Sequence, residues 1–404
     1  MNSKGWEKGL LFLGIIFVSF NLRPAITSVG PLVGFIREDT GISNSFAGLL
    51  TTLPLLAFAA ISPFAPRIAK KIGSERSILL GLILLGAGIL IRTIGFLTPI
   101  YIGTILVGIG IAICNVLLPG IVKLKFPGKV GLLTGCYTLS MAFWAGMAPG
   151  LSVPLAERLN LGWEMSLGIW IILLLLAIGI WLPQIRYHQE APPASVKLST
   201  SSIWTSPIAW QVTFFMGLQS MIYFSLTAWL PEILQSQGLS IATSGWMVSL
   251  MQFSGLPANF FIPILADRLP NQKGIALGIG LFCFSGLIGL LIGGNPIILT
   301  LSIILIGIAL GAAISHALTL ISLRAANVNQ AATLSGMAQS VGYILASIGP
   351  FLLGYLFDLH ANWTLPLILL AFVSIFFTIA GIGAGRNQYV TQENNELLVH
   401  NNAK

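Results

Sequence analysis

The sequence predicts an all-α integral membrane protein that crosses the bilayer twelve times, as two halves of six helices. Three observations carry this expectation. Of the 404 residues, 55% are hydrophobic and 8% charged, and several apolar runs reach the roughly 20 residues that a helix needs to span a bilayer. Lysine and arginine collect in alternate connections between those runs. The second half of the chain repeats stretches of the first at offsets of 199 and 201 residues.

Apolar runs bounded by Gly, Pro or charged clusters begin near residues 9, 45, 77, 99, 130, 163, 206, 242, 274, 297, 330 and 363. The first, Leu10 to Gly30, is longer than a signal-peptide core, and no small-residue cleavage site follows before Arg37, so it is expected to be retained. After the second comes a basic connection with Arg67, Lys70, Lys71 and Arg76, and the third ends near Arg92. The fourth leads to Lys123, Lys125 and Lys129, and the fifth to Glu157 and Arg158. A polar stretch from Gln184 to Ser206, rich in Pro, Ser and charge, reads as a flexible linker. The eighth run ends at Arg268, the tenth near Arg324 and the twelfth before Arg386. The expected organisation is a six-helix bundle over 1–185, a linker over 186–205, a second bundle over 206–386 and a tail over 387–404.

The repeat supports this division. "ILVGIGIA" at 105–112 matches "ILIGIALG" at 304–311, and "TGCYTLSMAFWAGMAP" at 134–149 matches "SGMAQSVGYILASIGP" at 335–350. Similar displacements carry Glu157 onto Asp358 and Arg67 onto Arg268. Two parallel halves of six helices resemble the layout of major facilitator transporters, in which solutes bind near the midplane between the halves.

With the N-terminus inside, sixteen of the twenty Lys and Arg residues fall on the cytoplasmic side, as the positive-inside rule requires. The formal charge of +8 is therefore a topology signal. A nucleic-acid partner is not expected, because no soluble face is available to carry a basic patch. The partners expected are the lipid bilayer of a bacterial inner (plasma) membrane, with both termini cytoplasmic, and a small solute. Cys114, Cys136 and Cys283 lie in apolar segments without CxxC spacing, which indicates neither a disulfide framework nor a metal site.

Arg23 is the residue that apolar composition does not explain. It lies a few residues outward of the centre of the first run, where burial against lipid costs about 2.5–3.5 kcal/mol, so it should face a cavity or a partner. Ser19 and Thr27 share its face at i, i+4 spacing. Pro24 removes one backbone N–H and loosens the bond to the Phe20 carbonyl. Arg23 would be a structural residue if it paired with a buried carboxylate, but all twelve acids map to loops or helix ends. A central cation without a central acid points to a counter-ion supplied by the solute, so Arg23 is the expected anchor.

Other polar residues of similar depth complete an expected lining: Gln219 and Tyr223 on the seventh helix, Gln252 on the eighth with Asn259 seven residues away, and Ser335, Gln339 and Tyr343 as a stripe on the eleventh. Tyr137, Met141 and Trp144 make a stripe on the fifth helix, with Tyr137 and Trp144 expected to stack against the solute. Asn115 and His316 lie toward the cytoplasmic half. His316 is the candidate for a coupled proton, because imidazole titrates near neutrality. The pairs Gly131 with Gly135, Gly146 with Gly150 and Gly307 with Gly311 are expected to let helices approach closely.

No catalysis is expected. "GIGIAICNVLLPG" begins like a dinucleotide fingerprint, but Ile113 occupies the third glycine position and no βαβ pattern surrounds it. HExxH, GxSxG and P-loop motifs are absent from the sequence, and no cofactor is expected.

"LADR" at 265–268 resembles the loop signature of the major facilitator superfamily, whose acid and basic residues help to lock the cytoplasmic side. The resemblance assigns Asp267 and Arg268, with Arg67 in the first half, to that gate. The first-half stretch "APRIAKKIGSER" departs from the pattern, with Pro66 where the acid would stand. More specifically, "NLRPAITSVGP" at 21–31, "GLQSMIYFSLTAWLPE" at 217–232 and "LSGMAQSVGYILASIGP" at 334–350 resemble the cyanate and 2-nitroimidazole transporter family. That resemblance implies secondary active transport of small planar polar or anionic compounds by alternating access, in a protein that works as a monomer. A proton-coupled multidrug exporter is the alternative, disfavoured by the missing deep carboxylate.

Overall fold

The computed structural model describes residues 3–126, 130–186, 201–325 and 328–390, and no strand occurs among them. Twelve long helices follow one another: α1 (Lys8–Thr40), α2 (Asn44–Ile61), α3 (Ser74–Arg92), α4 (Leu97–Lys125), α5 (Val130–Val153), α6 (Gly162–Ile185), α7 (Pro207–Ser236), α8 (Ile241–Arg268), α9 (Lys273–Ile292), α10 (Pro296–Arg324), α11 (Val328–His360) and α12 (Thr364–Ala384). Apart from the first helical stretch, which begins at Ser3 against an expected 9, every start lies within three residues of the position expected from hydropathy. Most of the expected linker and tail, 187–200 and 391–404, lies outside the described residues.

Among the described residues, eleven of these helices are both long and apolar enough to cross a membrane. The exception is α7, which is ample in length at 30 residues and buries 21 of them, including Gln219, Ser220, Ser225 and Thr227. A helix enclosed by its neighbours does not need a lipid-compatible surface, so α7 can carry polar groups that a lipid-facing helix cannot.

Local sequence explains the ends and the breaks. Ser43 caps α2 by accepting from the Phe46 N–H, and Ser240 caps α8 through the Thr243 N–H. Between α2 and α3 a short helix, Ala65–Ile72, carries Lys70 and Lys71 in its last turn. The helical stretch that leads into α1, Ser3–Phe20, ends before residues 21–23; α1 then resumes for one turn over Pro24–Thr27, tightens to a 3-10 turn over Gly30–Leu32, and continues over Val33–Thr40. Pro24 has no N–H for the Phe20 carbonyl, so the interruption falls where the sequence expects it.

Glycines bring selected helices together. A β-carbon on Gly311 of α10 would run into the Gly255 carbonyl of α8, and one on Gly150 of α5 would meet Trp246 and Ser249 of α8. Gly135 differs from the expectation, since a β-carbon there would meet nothing within 4 Å. It borders open space instead of a helix.

On the side away from the chain ends, the two halves close against each other. A β-carbon on Gly30 of α1 would collide with the Thr227 carbonyl of α7, and one on Gly48 of α2 would sit 2.5 Å from the Pro350 carbonyl of α11. The Trp229 indole donates to the same Pro350 carbonyl at 2.7 Å, and the Thr52 hydroxyl donates to the Ser347 carbonyl at 2.8 Å. At the rim, the Asp358 carboxylate of α11 accepts from the Asn44 backbone N–H (3.0 Å) and side-chain amide (2.7 Å) and from the Ser45 N–H (2.7 Å). A carboxylate thus caps the start of a helix in the opposite half.

Candidate functional site

Inward of that seal the halves separate around a cavity of about 1010 Å³. It extends to the side carrying the chain ends, where its wall includes Ser62, Pro119, Asp267, Arg268 and Leu323. Arg23 lines its inner end at the break of α1, together with Gln252 and Tyr343, sixteen and fifteen residues from Arg268 and Val328. At ~1.5 Å per residue that is a common depth of about 22–24 Å.

Eight of the expected polar lining residues meet in this cavity: Arg23, Asn115, Gln219, Tyr223, Gln252, Asn259, Gln339 and Tyr343. The interruption of α1 presents the Arg23 guanidinium, and among the described residues no ion pair forms on it. Asp267 is the single carboxylate among the lining residues, at the mouth. The Gln252 amide donates to the Tyr223 hydroxyl at 2.8 Å, joining α8 to α7 and leaving the phenolic hydrogen and the Gln252 carbonyl oxygen available. Gln339 donates to the Ser335 hydroxyl at 2.9 Å. Gln219 is 2% exposed and donates to the Met216 carbonyl and the Ser220 hydroxyl, so it offers its carbonyl oxygen rather than its N–H groups.

Several expected residues are placed elsewhere. Tyr137 is packed in the core of the first half, and Trp144 packs against that core, tilted against Phe20 at 5.6 Å and edge-on to Phe143 and Trp170 at 5.8 and 6.1 Å. The cavity face of α5 carries Thr138, Met141, Ala142 and Ala145, rotated by about one residue from the aromatic stripe. The aromatic wall is instead Phe58 and Phe224, whose rings lie 5.2 and 6.5 Å from that of Tyr343. Ser19 and Thr27 do not join Arg23. The Ser19 hydroxyl donates to the Ile16 carbonyl, because the break between Phe20 and Pro24 ends its i, i+4 register with Arg23, whereas Thr27 keeps that register and spends its hydroxyl on the Arg23 carbonyl instead of the cavity.

His316 is fully buried beside Phe215, at a ring distance of 5.7 Å, and both its ring nitrogens lack a hydrogen-bond partner. It does not line the cavity; its neighbour Ser315 does. Of the gate residues, Asp267 and Arg268 border the mouth, whereas Arg67 stands exposed over the Phe64 ring at 5.3 Å. A polar stripe on α10, Ser315, Thr319 and Ser322, also lines the cavity. Its i, i+4, i+7 spacing was the sequence signal that could have found it.

A fixed cation, amide and phenol dipoles and aromatic faces at one depth suit a small solute with negative or partly negative oxygens. Comparisons with known proteins identify the family of the chain. The pattern of the Major Facilitator Superfamily matches residues 11–350. The chain is 50% identical to the "Uncharacterized transporter YycB" of Bacillus subtilis (strain 168), over 95% of each chain. It is 42% identical to the 2-nitroimidazole transporter of Escherichia coli (strain K12), over 96% of this chain and 98% of that one. With the cyanate transport protein CynX of the same strain it shares 26% identity over 87% and 91% of the two chains. In fold it is similar to the D-xylose-proton symporter, with a TM-score of 0.75 at 15% identity over 95% of this chain and 98% of that one. The chain is a multi-pass membrane transporter of small solutes, not an enzyme, and it belongs to the Major Facilitator Superfamily.

Proposed function

We propose that this transporter carries small, planar, anionic or nitro-bearing solutes through a bacterial inner membrane, with Arg23 as the solute anchor. One observation supports it above the others: a guanidinium without an ion-pair partner among the described residues lines a cavity whose one carboxylate is at the mouth. The named cargoes of two relatives, 2-nitroimidazole and cyanate, fit such a receptor. Tyr223, Gln252, Gln339 and Tyr343 orient the solute by hydrogen bonds, Gln219 and Asn115 complete the polar wall, and Phe58 and Phe224 flank a flat ring. The positive-inside distribution supports cytoplasmic termini, which makes the present state open to the cytoplasm. Alternating access follows if the outer seal parts while Asp267 and Arg268 close the mouth.

The test is equilibrium binding of cyanate, 2-nitroimidazole and benzoate to purified protein, wild type beside Arg23→Ala and Arg23→Lys. Loss of binding in Arg23→Ala, with partial recovery in Arg23→Lys, is expected, because an ammonium keeps the charge but not the planar fork. Unchanged binding in well-folded Arg23→Ala protein would remove the anchor.

A further inference from the structure

The break in α1 is held from both sides, and one of its holders is a second arginine. Arg92, the last residue of α3, is 2% exposed and donates from Nη1 to the Ala25 carbonyl at 2.7 Å. Among the described residues it forms no ion pair, and its Nε has no hydrogen-bond partner. Its stem crosses α4 at Gly103, where a β-carbon would come within 2.6 Å of Arg92 Cγ. A buried guanidinium that bonds a neutral carbonyl is an expensive way to join two helices, and an apolar residue would do so at lower cost.

The Ala25 carbonyl needs a donor for a local reason. In a continuous helix it would accept from the Val29 N–H, but that group bonds to the Ile26 carbonyl at 3.3 Å as α1 loosens toward Gly30. Arg92 supplies the missing donor. On the other side of Arg23, the Asn21 amide donates to the Phe17 carbonyl at 2.8 Å and to the Leu173 carbonyl of α6 at 3.3 Å. Arg23 therefore sits between two clamps, both belonging to the first half.

We propose that Arg92 is a positioning residue for Arg23: it holds the interrupted turn of α1 so that the Arg23 guanidinium enters the cavity. This rests on the reading of Arg23 as the solute anchor, and it adds that the anchor travels with the first half of the protein. Arg92 does not touch the solute.

Two measurements test it. The first is a double-mutant cycle on benzoate affinity with Arg23→Ala and Arg92→Gln, alongside Arg92→Lys, each checked for thermal unfolding. Arg92→Gln should weaken binding about tenfold, Arg92→Lys by less, and Arg92→Gln should add no further loss on an Arg23→Ala background. Equal losses on both backgrounds would overturn the proposal. The second needs no solute: in protein lacking its native cysteines, Arg23→Cys is labelled by an anionic thiosulfonate from the cavity side. Arg92→Gln should change that rate at least threefold and leave the rate at Gln252→Cys unaltered. An unchanged rate at position 23 overturns the positioning role even if the cycle cannot be closed. Wild-type affinity in Arg23→Ala would instead end the anchor reading alone, because the labelling result stands by itself.

Discussion

Arg23 and Trp144 lie at similar depths and differ in what their neighbours leave unsatisfied. The Arg23 guanidinium borders a cavity, whereas Trp144 is surrounded by Phe20, Phe143 and Trp170. Trp144→Ala should therefore lower stability, by less than the about 3–5 kcal/mol of a fully buried aromatic because Trp144 is half-buried, while surviving folded protein binds benzoate with near-normal affinity. A thermal unfolding series beside a binding isotherm separates the two effects. Tyr223→Phe is the converse case. It removes the acceptor of the Gln252 amide without creating a void, and the loss of one neutral hydrogen bond, about 1 kcal/mol, should weaken binding roughly fivefold with little change in unfolding temperature. A greater loss of stability than of affinity would show that the pair only ties α7 to α8.

Among the elements, α1 and α2 each rely on a polar group at a helix end. In α1, Pro24 keeps the Phe20 carbonyl from finding its donor. Pro24→Ala should let the helix reconnect and rotate Arg23 away from its clamps, with loss of benzoate binding and slower-than-native hydrogen exchange in that segment. Retained binding would mean that the clamps alone impose the break. In α2, the first backbone donors are served by Asp358 from the other half. Removing its charge with Asp358→Asn should weaken outer closure by about 1–2 kcal/mol. The distance distribution between spin labels at the exposed Phe46 and Leu359 would then shift toward longer values, and an unaltered distribution would rule this contact out as a latch.

For the whole molecule, closing the outer side depends on backbone meeting backbone at Gly30 and Gly48. A side chain at either position must hold the halves apart, so Gly48→Leu should trap the protein open to the outside, with helix content intact and solute flux in proteoliposomes abolished. Native flux in that variant would mean that α2 and α11 separate little during the cycle. The seal also explains why α7 is long but less apolar than the rest. It is wrapped by its own half, by the end of α1 and by α11, and its polar residues answer to protein rather than to lipid.

The sequence by itself determined that this is a twelve-helix membrane protein with two repeated halves, where its helices begin, and that a cation at residue 23 lacks a buried acid. Those properties are local or compositional: hydropathy is summed along a run, and an absent carboxylate can be read from any list of residues. Only the tertiary structure decided which polar and aromatic side chains face the solute. Periodicity identifies a stripe on a helix but not its rotation, which neighbouring helices impose. A turn of one residue on α5 sends Tyr137 into the core, packs Trp144 against it and leaves Met141 in the cavity, while Phe58 and Phe224 supply the aromatic faces without any stripe in the sequence to mark them. The break in α1 likewise separates Arg23 from Ser19, because an i, i+4 relationship holds only while the backbone between the residues remains helical.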